Sequence, residues 1–298
     1  MQIHYVDGSR LRRSLLAACD YAQRQRDELN RINVFPVPDG DTGTNLTLTV
    51  RAIVDTVEPI RTRSVAEVAQ GAANAAVMGA RGNCGMMLSH FLLGFAEGLS
   101  GYDRVNTTQF CSAFHRGAQS LREALDKPVE GTILTVIHDT ALAATQSTEK
   151  DFVPLLEHLV NEARNSLERT PDLLPVLKTA GVVDAGAKGF VSLLEGVVYL
   201  VDGSLPISAE SQEHEKVAAS PASLMDYPVN QERFRFCTEA LVHGDSLPTQ
   251  TSVQSTLRDT GDSMIVIRSG NVLKVHIHTN EPEQVFDYLR DLGDLVTH

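Results

Sequence analysis

Asn33-Val34-Phe35-Pro36-Val37-Pro38-Asp39-Gly40-Asp41-Thr42-Gly43-Thr44-Asn45 sets two carboxylates two positions apart, interleaved with glycines, just ahead of an amphipathic run. Hard cations take oxygen ligands of this kind, and the free N–H groups at a helix start take phosphate. Pro36 and Pro38 forbid helix through the loop. The stretch therefore reads as a loop that feeds a helix and holds a metal-bound phosphate, with Mg²⁺ bridging Asp39, Asp41 and the phosphate oxygens. Thr44 and Asn45 supply polar side chains at the helix start. An ordinary Asp-Gly turn, with Asp41 as N-cap, is the competing reading. A calcium loop starting at Asp39 fails, because its twelfth position needs a bidentate Glu and the chain has Val50.

Helical periodicity surrounds this loop. Asp7-Gly8-Ser9 caps a helix with Leu11, Leu15, Ala18 and Ala22 on one face, and a second starts near Thr44 with Leu46, Val50 and Val54. Ser64 caps a third (Val65, Val68, Ala72, Ala76). Further helical patterns cover Met86–Phe95, Thr107–Leu125, Thr132–Thr145, Phe152–Leu167 and Ala187–Leu200. Three more polar loops lie between these helices: Gly79–Gly85 with Asn83 and Cys84, Pro128–Thr132, and Gly181–Gly189 with Asp184. The Gly79–Gly85 loop alone reads as a tight helix–helix turn. Four loops of one kind gathered at one end of a bundle would form a single site. The chain has no G-x-x-x-x-G-K-[ST] pattern, so a phosphate site here is not a P-loop.

The character changes after Asp202. Residues 203–230 are rich in Ser, Glu, Pro and Ala and read as a linker between a helical domain (1–202) and an α+β domain (231–298). Strand-like runs cover Phe234–Leu241, Ser263–Ile267 and Leu273–His278. Ser252–Asp259 and Pro282–Leu292 are helical in pattern. Within Leu273–His278, His276 and His278 point the same way, and Cys237 lies on another strand. One thiol and two imidazoles suit Zn²⁺ with a fourth position open, and Glu239, facing the same side as Cys237, is a candidate fourth ligand or base. The same residues also read as a buried cysteine beside two solvated histidines. The remaining helical histidines (His90, His115, His138, His158) read as surface or packing residues.

The 298 residues carry a net charge of −12. An acidic chain repels a phosphate backbone, which argues against nucleic-acid binding. The four cysteines form no CxxC pair, which suggests reduced thiols and a cytoplasmic protein. No apolar stretch is long enough for a transmembrane segment. The end at Val296-Thr297-His298, soon after an apparent turn at Gly293, suggests a fragment of a longer protein.

Asn33–Asn45, Gly79–Gly85, Glu130–Thr135 and Val183–Gly189 resemble the nucleotide-binding DhaL (Dak2) domain, over residues 1 to about 202. Phe236-Cys237-Thr238-Glu239 and Lys274-Val275-His276-Ile277-His278-Thr279-Asn280 resemble the middle domain of bacterial fatty acid kinase catalytic subunits. The resemblance implies an all-α helical barrel that binds Mg-ATP at one end, followed by a smaller α+β domain. It implies that Asp39 and Asp41 hold Mg²⁺. Thr44, Asn45, Asn83, Cys84, Thr132 and Asp184 would belong to the nucleotide site, and Cys237, His276 and His278 to a catalytic Zn²⁺ site. The implied acceptor is a fatty acid carboxylate carried by a DegV-like fatty-acid-binding protein or fused domain, the product is an acyl phosphate, and the family suggests a homodimer. The alternatives are a non-catalytic nucleotide-binding regulatory protein and a dihydroxyacetone-type kinase subunit. Two departures stand out. Cys84 replaces a serine usual in the fatty acid kinases, and Asn33-Val34 lies where dihydroxyacetone kinase domains carry a third aspartate. The two candidate sites fall in different domains, so a second protomer or a domain movement is the expected way to bring them to one substrate.

Overall fold

The computed structural model describes residues 2–125, 127–203 and 234–297. The expected linker over 203–230 lies outside them apart from Gly203. A two-residue strand β1 (Val6–Asp7) leads into α1 (Gly8–Arg24), capped by Asp7 Oδ1 accepting from Arg10 N at 3.0 Å. Then come α2 (Arg26–Arg31), α3 (Thr42–Val57), α4 (Val65–Gly79) and α5 (Gly82–Gly98). The strand β2 (Arg104–Val105) precedes α6 (Thr107–Ala124), α7 (Ile133–Gln146), α8 (Phe152–Leu173), α9 (Pro175–Ala180) and α10 (Ala185–Asp202). Helices α1, α3, α4, α5, α6, α7, α8 and α10 pack each against the next, and α10 returns to α1, closing a ring.

Small residues let the ring close. Ala69, Ala72, Ala73 and Ala76 of α4 are buried beside Val50, Ile53 and Val57 of α3. Phenylalanines fill the wider parts, with Phe91 edge-on to Phe114 at 4.9 Å and Phe110 edge-on to Phe152 at 5.5 Å. Each fully buried side chain of this size contributes about 1.5–3 kcal/mol.

The helical domain departs from the sequence expectation at the short helices α2 and α9, at the β1–β2 pair and in α8. β1 and β2 pair antiparallel (Val6↔Val105), so the helical domain carries a small strand pair. α8 runs past Leu167 to Leu173 despite Pro171. Pro171 has no N–H for the Leu167 carbonyl, and the Thr170 hydroxyl donates to that carbonyl instead, at 2.7 Å.

The C-terminal region holds β3 (Phe236–His243), α11 (Gln250–Leu257), β4 (Gly261–Ser269), β5 (Val272–Thr279), α12 (Pro282–Arg290) and β6 (Asp294–Thr297). The sheet order is β4-β5-β3-β6, with every neighbouring pair antiparallel. Alternation divides its faces. Val242, Val266, Val275 and Ile277 form a core with Val253 and Leu257 of α11 and Val285 and Leu289 of α12. On the other face, Ile265 and Ile267 pack with Val77, Ala80 and Met86 around the α4–α5 turn. That second face meets the helical ring, and it carries the charged and ligating residues.

Candidate active site

The Asp loop is built by its upstream neighbours. Asp41 occupies the N-cap position of α3, but its side chain makes no capping bond. Asn33 Oδ1 accepts from Thr42 N at 3.1 Å and also from the Thr42 hydroxyl, and Asn30 Oδ1 accepts from Thr44 N at 3.0 Å. Two asparagines thus do the capping that the turn reading assigned to Asp41, leaving its carboxylate out of the helix. Gly43 lets this happen, since a Cβ there would lie 2.1 Å from Arg26 O. Asn33 also donates from Nδ2 to Val37 O at 2.7 Å and to Asp39 Oδ1 at 3.3 Å. An amide donor therefore stands beside Asp39. Burial, followed by repulsion from Asp41, pushes the Asp39 carboxyl up to about 6. A pair in this condition is stabilised by a bound cation.

The α4–α5 turn forms the next wall. Gly82 has φ +58°, and a Cβ there would meet Asn45 Nδ2 at 2.6 Å, so the position admits only glycine without displacement. Asn83 and Cys84 follow in the first turn of α5. Burial, then the charges of Asp184 and Asp41, push the Cys84 thiol up to about 12. It stays protonated near neutral pH.

Thr132 caps α7, accepting from Leu134 N at 3.3 Å. Asp184 caps α10 and also reaches α7, its Oδ1 accepting from Ala187 N at 2.7 Å and Ile133 N at 3.0 Å. Burial raises Asp184 to about 6 against the opposing pull of those two bonds. Four helix starts, α3, α5, α7 and α10, thereby turn their N-terminal ends toward one space, an arrangement that favours bound anions.

On the sheet, Cys237 lies opposite His278 and Glu239 opposite His276. Cys237, His276 and His278 each offer a ligand atom, all within 4.8 Å of one another. Cys237 Sγ is 3.9 Å from His276 Nδ1, which is 3.0 Å from Glu239 Oε1. Burial pushes the Cys237 thiol up, but the two imidazoles outweigh it and bring it down to about 7. Burial alone would lower His276, yet Cys237 and Glu239 lift it to about 9. Cys237 is exposed, His276 buried and His278 half-buried, which does not match a buried cysteine beside two solvated histidines. His276 Nε2 is buried with no hydrogen-bond partner among the described residues. A charge-rich, incompletely paired cluster of one sulfur and two nitrogens fits a borderline-soft cation such as Zn²⁺.

All of this faces one cavity of about 560 Å³. Asp39, Asp41, Asn45, Asn83, Cys84, Thr132 and Asp184 line it from the ring, and Cys237, His276 and His278 line it from the sheet. A single chain brings the two sets together, so neither a second protomer nor a domain movement is needed to join them. Thr44 is not on the wall; it is exposed, and its hydroxyl accepts from Asn30 Nδ2 at 3.0 Å. Glu239, the candidate fourth ligand, lines the cavity as well, and the cavity adds residues that the sequence motifs did not single out as ligands: Asn33, Arg81, Lys127 and Arg258, with an apolar stretch of Met87, Leu125 and Met264. For Glu239 a sequence signal existed, its alternation with Cys237. For Lys127 and Arg258 none did, because only the fold carries them to the site.

A model of the DAK2 domain matches residues 36–199, more than half of the chain. The chain belongs to the DAK2-domain family. Residues 233–298 match a model of the FakA-like fatty acid kinase middle domain. An uncharacterised protein of Staphylococcus saprophyticus is 36% identical over 98% of this chain and 54% of its own length. Protein YloV of Bacillus subtilis is 36% identical over 99% of this chain and 55% of its own. The chain thus spans about half the length of these family relatives. Among solved structures, the dihydroxyacetone kinase of C. freundii in complex with AMP-PNP and Mg²⁺ superposes with a TM-score of 0.51 at 16% identity, over 63% of this chain and 33% of that one. The family fold is shared at that level. Among the described residues no helix is long and apolar enough to cross a membrane.

Proposed function

We propose that this protein is an ATP-dependent phosphotransferase whose acceptor is a fatty acid carboxylate, presented by a DegV-like binding protein or fused domain and converted to an acyl phosphate. One observation carries the reading. The carboxylate pair of the Asp loop and the Cys237/His276/His278 cluster open onto the same cavity. The ring side suits a metal-bound nucleotide, since Asp39 and Asp41 would hold Mg²⁺ and four helix N-termini would face its phosphates. Bound Mg²⁺ supplies charge neutralisation on the transferring phosphoryl group. Asn45, Asn83 and Arg81 line the same side of the cavity and would orient the phosphate oxygens.

The sheet side suits the acceptor. A carboxylate is ionised near neutral pH, so it needs orientation more than a base. Lys127 and Arg258 offer positive charge beside Met87, Leu125 and Met264, a combination suited to an anionic head on an apolar chain. Cys237, His276 and His278 would hold Zn²⁺, which when bound supplies a Lewis acid for the acceptor oxygens. The likeness to dihydroxyacetone kinase is one of fold and leaves the acceptor to this side of the cavity.

The test is ATP turnover with a DegV-like carrier loaded with fatty acid, against dihydroxyacetone. Acyl phosphate and ADP formed only with the loaded carrier would support the reading. Turnover with dihydroxyacetone would assign the protein to the other kinase class. Nucleotide binding without turnover on either acceptor would favour a regulatory role.

A further inference from the structure

The sheet grips the α4–α5 turn with a pair of opposite charges. Lys274 is fully buried, and its Nζ donates to Ala80 O at 2.6 Å and Met78 O at 3.4 Å, at the C-terminal end of α4. Glu239 Oε1 accepts from Gly82 N at 2.6 Å, at the N-terminal end of α5. Each charge meets the helix end of opposite polarity. The cap position of α5 has no side-chain cap of its own, so Glu239 acts as the cap from another domain.

The same Glu239 oxygen is 3.0 Å from His276 Nδ1, the ring nitrogen nearest Cys237 Sγ. A single carboxylate oxygen therefore joins the turn that carries Asn83 and Cys84 to the Cys/His cluster. A metal ion held by Cys237, His276 and His278 would bring positive charge close to that oxygen. The carboxylate would then be drawn between that charge and Gly82 N, which would change its grip on α5.

We infer that Glu239 is a positioning residue that couples the two halves of the cavity, so that a metal ion at Cys237/His276/His278 and a nucleotide at the Asp loop alter each other's affinity. The inference rests on the nucleotide and metal assignments proposed above. Such coupling is reciprocal, the metal shifting nucleotide affinity by the same factor as the nucleotide shifts metal affinity.

Cobalt(II), a spectroscopic stand-in for zinc, tests this in the full chain. It is titrated with and without Mg²⁺ and AMP-PNP, with metal affinity read from the thiolate-to-cobalt absorption. The wild type is expected to show a change of about 5-fold or more between the two titrations. In Glu239→Ala, both ligands still bind singly but the factor falls to about one. Glu239→Gln, which keeps an acceptor for Gly82 N–H, serves as the second variant and loses most of the factor. A merely structural cap would weaken nucleotide binding equally with and without cobalt. Independent binding in the wild type, or an undiminished factor in both variants, overturns the coupling and leaves the functional reading standing. Failure of either ligand to bind the wild type in its single titration removes that reading, and the coupling with it.

Discussion

Asp39 and Asp41 line the cavity, and the helix-capping duties at α3 have passed to Asn33 and Asn30. That division of labour separates a ligand from an N-cap, and it gives the first prediction. Asp39→Ala and Asp41→Ala should each abolish Mg-ATP binding measured by calorimetry while leaving the fold intact, because neither side chain caps α3. Asp184 is the opposite case. Its Oδ1 ties the starts of α7 and α10 together, and burial holds its carboxyl at about 6 against an ordinary value of 3.8. Between those values the folded state binds the proton more tightly than the unfolded state, so the Asp184 contribution to stability rises as pH falls through 6. Asp184→Asn keeps an acceptor oxygen and removes the buried charge. Its thermal midpoint should exceed the wild type's at pH 7.5, and the difference should shrink as pH drops from 6 toward 4. Asp184→Ala should instead lower stability by about 1–3 kcal/mol, since two buried N–H groups lose their acceptor.

At the scale of elements, the α4–α5 turn depends on the sheet beneath it. Lys274→Met should destabilise the protein by about 1–3 kcal/mol in chemical denaturation, because the Ala80 and Met78 carbonyls lose their donor. Gly82→Ala should lose stability by about 1–2 kcal/mol from the left-handed backbone alone. It should also weaken nucleotide binding by displacing Asn45. Most long elements were legible in the sequence because their apolar periodicity coincides with their burial, as in α1 (Leu11, Ala18, Ala22) and α4. α2 was not, since Arg-Asp-Glu-Leu-Asn-Arg buries only Leu29, yet it supplies Asn30 to the Asp loop. β6 was not either, because four residues after Gly293 become a strand only by pairing with β3. The Asp loop and the Lys-Val-His-Ile-His alternation were readable as chemistry. Their meeting was not, because it depends on how Lys274, Glu239 and the Ile265/Ile267 patch seat the sheet on the turn. Thr44 shows the converse limit: a polar residue at the right helix start can face away from the cavity, toward Asn30.

At the scale of the molecule, the helical ring and the small sheet form a shared cavity, with carboxylates and helix N-termini on one wall and the Cys/His cluster on the other. The apolar and basic residues near β4 give the cavity a third character, the one on which the proposed fatty acid acceptor rests. The account stands on the two sites facing one space within one chain. Mn²⁺ in place of Mg²⁺, added with AMP-PNP, tests this through paramagnetic broadening of the histidine ring signals. The account predicts that the His276 and His278 resonances broaden, that surface His158 does not, and that Asp39→Ala removes the effect. Sharp His276 and His278 signals in a protein shown to hold Mn²⁺ and nucleotide at the Asp loop would contradict it.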